Sequence, residues 1–402
     1  MRHIFGYTWV YLAHETQLPT ANSFRTAYLG LRPLILTRDK HGELHALLNR
    51  CRHRAATVCR EESGTAKSFQ CPYHGWTYQN TGELIGVPWP DAYGTDFRRK
   101  DWSLAQVPRI ETYRGFVFGT LNESAPPLTD HLGEVRRLLD YWIDRAPGGD
   151  VRVESGAHRM VYRGNWKLAY DNAADGYHPA FSHRSLLQMA QRLGESRDMT
   201  YFGQSPDQGP MYVQYLGNGH NFIDQRPSYD GAGSFWANQR PQPGREGFEE
   251  RIRERYGDQA DTYLDLCVGA QINLNIFPNL LLIGNQIQVI EPFAVDRTQL
   301  TWYATTVGGV PDEVNAMRMR TQEDFPAFGE PDDQANFEEC QRGLAVPEVE
   351  WVLMNRGYGV EGRQKVSEDG VVTGPVTDEL HMRGYFEEWV RLMSRAGAED
   401  DT

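Results

Sequence analysis

Short apolar runs broken by Gly, Asn and Asp dominate the first third of the chain. Residues 33–37 and 44–48 are two such runs, and the turn Asp39-Lys40-His41-Gly42-Glu43 between them predicts a hairpin. Residues 76–78 and 84–87, around Asn80-Thr81-Gly82-Glu83, predict another, and residues 115–121 read as a further strand. The pattern changes at Ser124-Ala125-Pro126-Pro127. Beyond it, apolar positions recur at helical spacing over 128–143, 166–177 and 248–268. Residues 203–244, rich in Gly, Pro, Asn and Gln, read as an irregular excursion of the kind that forms lids or pocket walls. Strands follow at 280–290 and 300–306, and the alternation Ile287, Val289 and Leu300, Trp302, Ala304 suits an antiparallel sheet with one buried face. Helical patterning returns at 314–323 and 384–394. The expected fold is α+β, with an all-β domain over residues 1–125 and a domain of antiparallel sheet covered by helices over 126–402.

Composition narrows the partners. A net charge of −13 disfavours a nucleic-acid backbone, and Arg98-Arg99-Lys100 and Arg318-Met319-Arg320 are patches too small to offset it. One of them is suited to docking an acidic redox partner. The first residues lack a long apolar core and a small-residue cleavage site, and the apolar run around 280–283 is too short to cross a bilayer. A soluble, cytoplasmic protein with no membrane partner is expected, its acidic tail 398–402 disordered. Five cysteines form no disulfide framework and fit a reducing compartment, with Cys59, Cys267 and Cys340 read as buried free thiols.

The other two cysteines have histidine neighbours. Cys51-Arg52-His53 and Cys71-Pro72-Tyr73-His74 make the pattern C-x-H-x17-C-x2-H. Two chemistries use such ligands: a tetrahedral structural zinc, and a two-iron, two-sulfide cluster with two thiolates on one iron and two imidazoles on the other. In C-x-H on a strand, thiolate and imidazole project in the same general direction, which suits two metal atoms better than one pinched centre. Gly75-Trp76-Thr77-Tyr78 strengthens the cluster reading, since Gly admits close backbone approach and an aromatic shields the site from water.

A second constellation follows at Asp175-Gly176-Tyr177-His178 and His183. Asp175 and His178 are three apart and share a helix face. His183 is splayed from His178 on a straight helix, and a bend at Pro179 would bring the two imidazoles together. Two His and one carboxylate is the arrangement of non-haem Fe(II) that activates O2. Taken locally, Asp175 itself completes a D-x-x-H-x4-H triad.

These motifs resemble the large (alpha) subunits of Rieske-type non-haem iron aromatic ring-hydroxylating oxygenases. The resemblance runs from about Trp9 to Met393 and is carried by residues 49–54, 69–76 and the segment Asn172, Asp175, Tyr177, His178, His183. It implies that Cys51, His53, Cys71 and His74 hold a Rieske-type [2Fe-2S] cluster and that His178 and His183 hold a mononuclear Fe(II). It also implies a different role for Asp175, as a bridge to the neighbouring subunit's cluster, with Asn172 and Asp175 as the catalytic pair. The third iron ligand then comes from the acidic pair in Gly329-Glu330-Pro331-Asp332-Asp333, with Asp333 carried over and Asp332 the runner-up. Two departures stand out: Ala55 where the family usually has Gly, and Asp171 where it often has Glu. Family members often have a longer N-terminal arm.

The implied activity is that of a terminal oxygenase. It takes O2 as cosubstrate, and NADH-derived electrons arrive through a separate reductase or ferredoxin, since no Gly-rich dinucleotide fingerprint is present. The implied substrate is a small aromatic molecule, an aromatic acid among the candidates, with Arg163, Arg184 and Arg240 as carboxylate anchors or ordinary surface charges. Gly176, Pro179 and Asn285-Gln286-Ile287 are expected pocket walls. The implied assembly is a homotrimer or an alpha3beta3 complex with a small subunit. A Rieske-type monooxygenase or demethylase acting on C–H, N-methyl or O-methyl groups would use the same ligands. An electron-carrying Rieske-type ferredoxin would have no use for His178, His183 and Asp333.

Overall fold

A computed structural model of the chain describes residues 1–193, 209–229, 233–238 and 245–399, in two compact units, Met1–His131 and Leu132–Thr402. Residues 203–208, 230–232 and 239–244 of the expected excursion, Arg240 included, and the last three residues of the acidic tail lie outside the described residues; the rest of that stretch is not wholly irregular, since it forms strands at Tyr212–Tyr215 and Asn221–Asp224.

The first unit is built of short strands: β1 (Val10–His14), β2 (Ser23–Leu29), β3 (Arg32–Arg38), β4 (Leu44–Leu48), β5 (Ser63–Thr65), β6 (Ser68–Gln70), β7 (Thr77–Gln79), β8 (Leu84–Gly86), β9 (Arg109–Tyr113) and β10 (Phe116–Thr120). They form three sheets, in the orders β1-β10-β9, β4-β3-β2-β5 and β6-β7-β8. Both expected hairpins form, as β3–β4 with Leu36 opposite Ala46 and as β7–β8. Asp39 closes the first turn, its Oδ1 accepting from the backbone N–H groups of His41 and Glu43 at 2.8 and 3.0 Å. Phe24, Ile35, Leu47, Phe69, Tyr78 and Leu84 pack around the buried Cys51 and Cys71. Each such aromatic or aliphatic side chain contributes ~1.5–3 kcal/mol by leaving water.

The second unit is a mixed one. Its helices are α2 (Val135–Asp144), α3 (Trp166–Asn172), α4 (Pro179–Ser182), α5 (Arg184–Leu193), α6 (Arg245–Tyr256), α7 (Ala260–Leu266), α8 (Asp312–Thr321), α9 (Asp324–Phe328), α10 (Glu330–Leu344) and α11 (Leu380–Glu399); α1 (Leu128–Leu132) precedes them. Its strands are β11 (Val151–Arg152), β12 (Ala157–Tyr162), β13 (Tyr212–Tyr215), β14 (Asn221–Asp224), β15 (Ile272–Ile276), β16 (Leu280–Ile283), β17 (Gln286–Ala294), β18 (Arg297–Tyr303), β19 (Thr306–Val307), β20 (Lys365–Val366) and β21 (Val372–Pro375). Nine of them make one antiparallel sheet in the order β12-β18-β17-β16-β15-β14-β13-β21-β20. Helix α2 buries Val135, Leu138, Leu139, Trp142 and Ile143, and Trp142 Nε1 donates to the Gly284 carbonyl at 2.8 Å. The α+β reading therefore holds.

Glycine breaks three elements that periodicity ran together. The helix expected over 128–143 parts at Gly133, that over 248–268 at Gly257, and the strand over 280–290 at Gly284, all with positive φ. The last is a two-residue Gly284-Asn285 hairpin, with Ile283 opposite Gln286. Helix α3 stops at Asn172, short of the expected 177. Cys340 is also a correction. It lies on the exposed side of α10, while Cys59 and Cys267 are buried as expected.

Candidate metal centres

The Cys-His segments of the first unit are two copies of one loop. Cys51 N donates to Ala56 O at 2.8 Å and Ala55 N to Cys51 O at 3.0 Å; Cys71 N donates to Trp76 O at 2.8 Å and Gly75 N to Cys71 O at 3.0 Å. Each loop needs left-handed backbone four residues after its cysteine, at Ala55 (φ 63) and Gly75 (φ 71). Gly accepts this freely, whereas Ala pays ~1–2 kcal/mol, so Ala55 is the costlier member of the pair. The loops bring the His53 and His74 rings to 4.5 Å, and Trp76 stacks on His53 at 5.1 Å. Tyr78 Oη lies 3.3 Å from Cys51 Sγ and accepts from Arg52 N at 3.1 Å. His53 Nδ1 is buried with no hydrogen-bond partner. Burial, aided by the charges of His74 and Arg54, pushes His53 below its usual range and keeps it neutral, the form that binds metal. Two buried thiols, two converging imidazoles and an orphaned ring nitrogen fit a two-iron cluster.

In the second unit, α3 ends one turn before Asp175, and Pro179 opens α4 as its first residue, so the chain bends between them. The bend sets His178 and His183 with ring centroids 5.3 Å apart. Their Nε2 atoms lie 3.4 and 3.3 Å from one oxygen, Asp333 Oδ1. Asp333 is in the acidic first turn of α10, where the helix dipole favours negative charge. That oxygen is buried and accepts no hydrogen bond. A carboxylate oxygen left bare between two imidazoles is the mark of a cation site. His178, His183 and Asp333 also have their ligand atoms within 4.8 Å of one another.

The remaining carboxylates stand behind these three. Asp332 Oδ2 lies 3.3 Å from His183 Nδ1, and Asp175 Oδ2 lies 3.5 Å from His178 Nδ1, a long and poorly aligned contact. The acidic pair is thus divided: Asp333 faces the ligand nitrogens, and Asp332 orients one ring from behind. Asp175 does not complete a local triad, because it too faces an Nδ1. Burial lowers His183, yet Asp333 and Asp332 hold it above its usual range overall, which reflects an excess of negative charge. For Asp175, burial raises the carboxyl, but His178, His381 and the Tyr177 N–H hold it lower.

The site opens into a cavity of about 270 Å³. Gly176, Pro179, Asn285 and Gln286 line it, as expected, and so do Asn172 and Asp175; Ile287, Arg163 and Arg184 do not. Sequence reasoning missed Glu330, Gln271 and Gln288 in this lining. Burial, then Asp333, pushes the Glu330 carboxyl up to about 8. Asp171 on α3 lies deep behind the site, and burial pushes it up to about 7 against the pull of Tyr385 and Lys167. Nothing in the local sequence marks Glu330, Gln271 or Gln288.

A double thiolate–imidazole loop on a β unit, with a two-His, one-carboxylate site on a helix-covered sheet, defines an oxygenase with two iron centres. Residues 8–111 match the Rieske [2Fe-2S] domain family, and residues 150–395 match the family of ring-hydroxylating alpha subunits, catalytic domain. The chain belongs to the ring-hydroxylating oxygenase alpha-subunit family. The toluate 1,2-dioxygenase alpha subunit of Pseudomonas putida is 36% identical over 363 residues, covering 86% of this chain and 76% of that one. The 2-halobenzoate 1,2-dioxygenase large subunit of Burkholderia cepacia is 33% identical over 371 residues, covering 89% and 76%. The structure of naphthalene 1,2-dioxygenase from Rhodococcus sp. bound to indole matches with a TM-score of 0.75 and 27% identity, over 98% of this chain and 90% of that one. The protein is thus an oxidoreductase with a Rieske-type cluster and a mononuclear iron at His178, His183 and Asp333. Among the described residues no helix is long and apolar enough to cross a membrane.

Proposed function

We propose that the protein is the terminal component that oxygenates an aromatic carboxylic acid, with electrons drawn from NADH through a separate reductase or ferredoxin. Cys51 and Cys71 hold one cluster iron, His53 and His74 the other, within a domain spanning residues 1–125; residues 126–402 form the catalytic domain. When bound, the cluster supplies single electrons and the mononuclear iron activates O2. The bare Asp333 Oδ1 between His178 Nε2 and His183 Nε2 carries this reading. The aromatic acid is supported by the activities of the toluate and 2-halobenzoate dioxygenase relatives. Five unpaired cysteines support a cytoplasmic location.

The chain's own residues do the positioning. Asp332 holds His183 by its Nδ1, Asp175 faces His178 Nδ1, and both Nε2 atoms are left for metal. Asn172 lines the cavity beside them and positions the substrate. Ala173, Met211, Ile272 and Leu300 exclude water from the reacting region. Copies assemble head to tail as a trimer, alone or with a small subunit, and Asp175 bridges to the next copy's cluster.

The test combines two variants with a panel of benzoate, a toluate and anthranilate, fed with NADH and a surrogate reductase. Asp333→Ala is expected to lose the mononuclear iron and keep the cluster absorbance. Asp175→Asn is expected to keep both metals and lose nearly all product formation. Full iron in the first variant would refute the ligand assignment, and normal turnover in the second would refute the bridge.

A further inference from the structure

Two guanidiniums stand behind one wall of the cavity. Arg145 lies deep in the second unit while its side chain stays partly accessible. Its Nη1 donates to Asn285 Oδ1 at 3.1 Å, and its Nη2 to the carbonyls of Asp265 and Val268 at 2.6 and 2.9 Å. Arg318 is 3% exposed. Its Nε and Nη1 donate to the carbonyls of Thr305 and Leu266 at 2.8 and 2.7 Å, and its Nη2 to Thr305 Oγ1 at 2.8 Å. Neither makes an ion pair among the described residues. Asp265 makes its charge felt at Arg145, but its Oδ1 accepts from Trp236 N at 2.9 Å, and one carboxylate cannot balance two cations. Burial, then the repulsion of Arg145, pushes Arg318 down to about 9, a shift that a nearby anion would relieve.

The wall in front of them belongs to the cavity: Val268, Gly269, Gln271, Asn285, Gln286 and Gln322 line it. An amide NH2 has two donors. Asn285 uses one on Val268 O at 2.6 Å, Gln286 one on Gln322 O at 2.5 Å, and Gln271 one on Gly269 O at 3.1 Å. Three second donors remain. Elsewhere in the lining stands the carboxylate of Asp175, which repels an anion.

We infer that the substrate's carboxylate is received at this wall, by the remaining amide donors of Gln271, Asn285 and Gln286, with Arg145 and Arg318 supplying the balancing charge from behind. This rests on the aromatic-acid reading proposed above and adds where the acid group goes. The wall draws the anionic head, and the Asp175 carboxylate disfavours it beside His178. The ring is thereby turned towards His178 and His183, and the lining needs no cation of its own. Arg145 and Arg318 are positioning residues, Arg145 acting through Asn285 and the Val268 carbonyl and Arg318 through Thr305 Oγ1, which donates to Asn285 O at 2.5 Å.

Calorimetric titration of the anaerobic, iron-loaded protein with benzoate and with benzamide tests this. The unaltered protein is expected to bind benzoate at least about tenfold more tightly, the worth of one charge-assisted contact. Asn285→Asp places a fixed anion on the wall within reach of Arg145, trading the hydrogen bond to Val268 O for an ion pair at unchanged size. It is expected to cut the benzoate-to-benzamide affinity ratio at least tenfold, and Arg145→Gln should lower the same ratio. A ratio unchanged in both variants, with full iron and cluster absorbance, would overturn the wall assignment and leave the aromatic-acid reading standing. An unaltered protein that binds benzamide as well as benzoate would overturn both.

Discussion

Asp171→Asn is the substitution whose effect can be worked out most fully. Asp171 lies deep on α3, its Oδ1 buried without a hydrogen-bond partner, and burial pushes its carboxyl from 3.8 up to about 7. Below about pH 4 the group holds its proton in folded and unfolded chains alike, so its contribution is fully present there. As pH rises the unfolded carboxyl ionises first, and the folded state loses stability until the pH has passed about 7. The full loss is ~4 kcal/mol, of which ~2 kcal/mol falls between about pH 5.5 and pH 8.5. Asn keeps the shape and removes the titration. Urea unfolding followed by tryptophan fluorescence, to which the buried Trp166, Trp236 and Trp302 of this unit contribute, reads the difference. The variant should gain ~2 kcal/mol on the unaltered protein between those two pH values. Parallel pH profiles for the two proteins would show that Asp171 does not titrate as its burial demands.

Two further outcomes follow from single contacts. Tyr78→Phe removes a hydroxyl 3.3 Å from Cys51 Sγ. It should lower the cluster midpoint by ~20–65 mV, the worth of one net hydrogen bond in a one-electron couple, and an unchanged voltammogram would count against the contact. Gly176→Ala puts a Cβ 2.8 Å from the Val376 carbonyl oxygen, and closer still to that residue's methyl group. The loop carrying Asp175 and His178 must lift, at ~1–3 kcal/mol, so mononuclear iron content should fall while the cluster stays full; equal iron content would refute the clash.

The cluster loops could be read from sequence because each is a local object. Spacing and the Gly75-Trp76 pair are all inside a few residues of the ligands. The His178 and His183 pair was legible for the same reason, including the bend at Pro179. Asp333 was not, since its partner histidines lie some 150 residues away in sequence and only the family likeness singled it out. The division of labour between Asp332 and Asp333 needed coordinates, because neighbouring positions on a helix face different directions. Periodicity overran Gly133, Gly257 and Gly284, where a single residue's backbone freedom outweighs the hydrophobic pattern on either side. The amide wall left no trace in sequence, since Gln271, Asn285 and Gln286 look like any other polar residues.

The iron ligands hang from the loop after α3, the short α4 and the first turn of α10, while Asn285 and Gln286 belong to the hairpin joining β16 to β17. The iron ligands and the residues proposed to receive the acid group are therefore inherited on separate stretches of backbone. A lineage can exchange side chains at the hairpin and at 268–271 and so come to accept a new nutrient, with His178, His183 and Asp333 undisturbed. It need not relearn how to hold iron each time it changes what it eats.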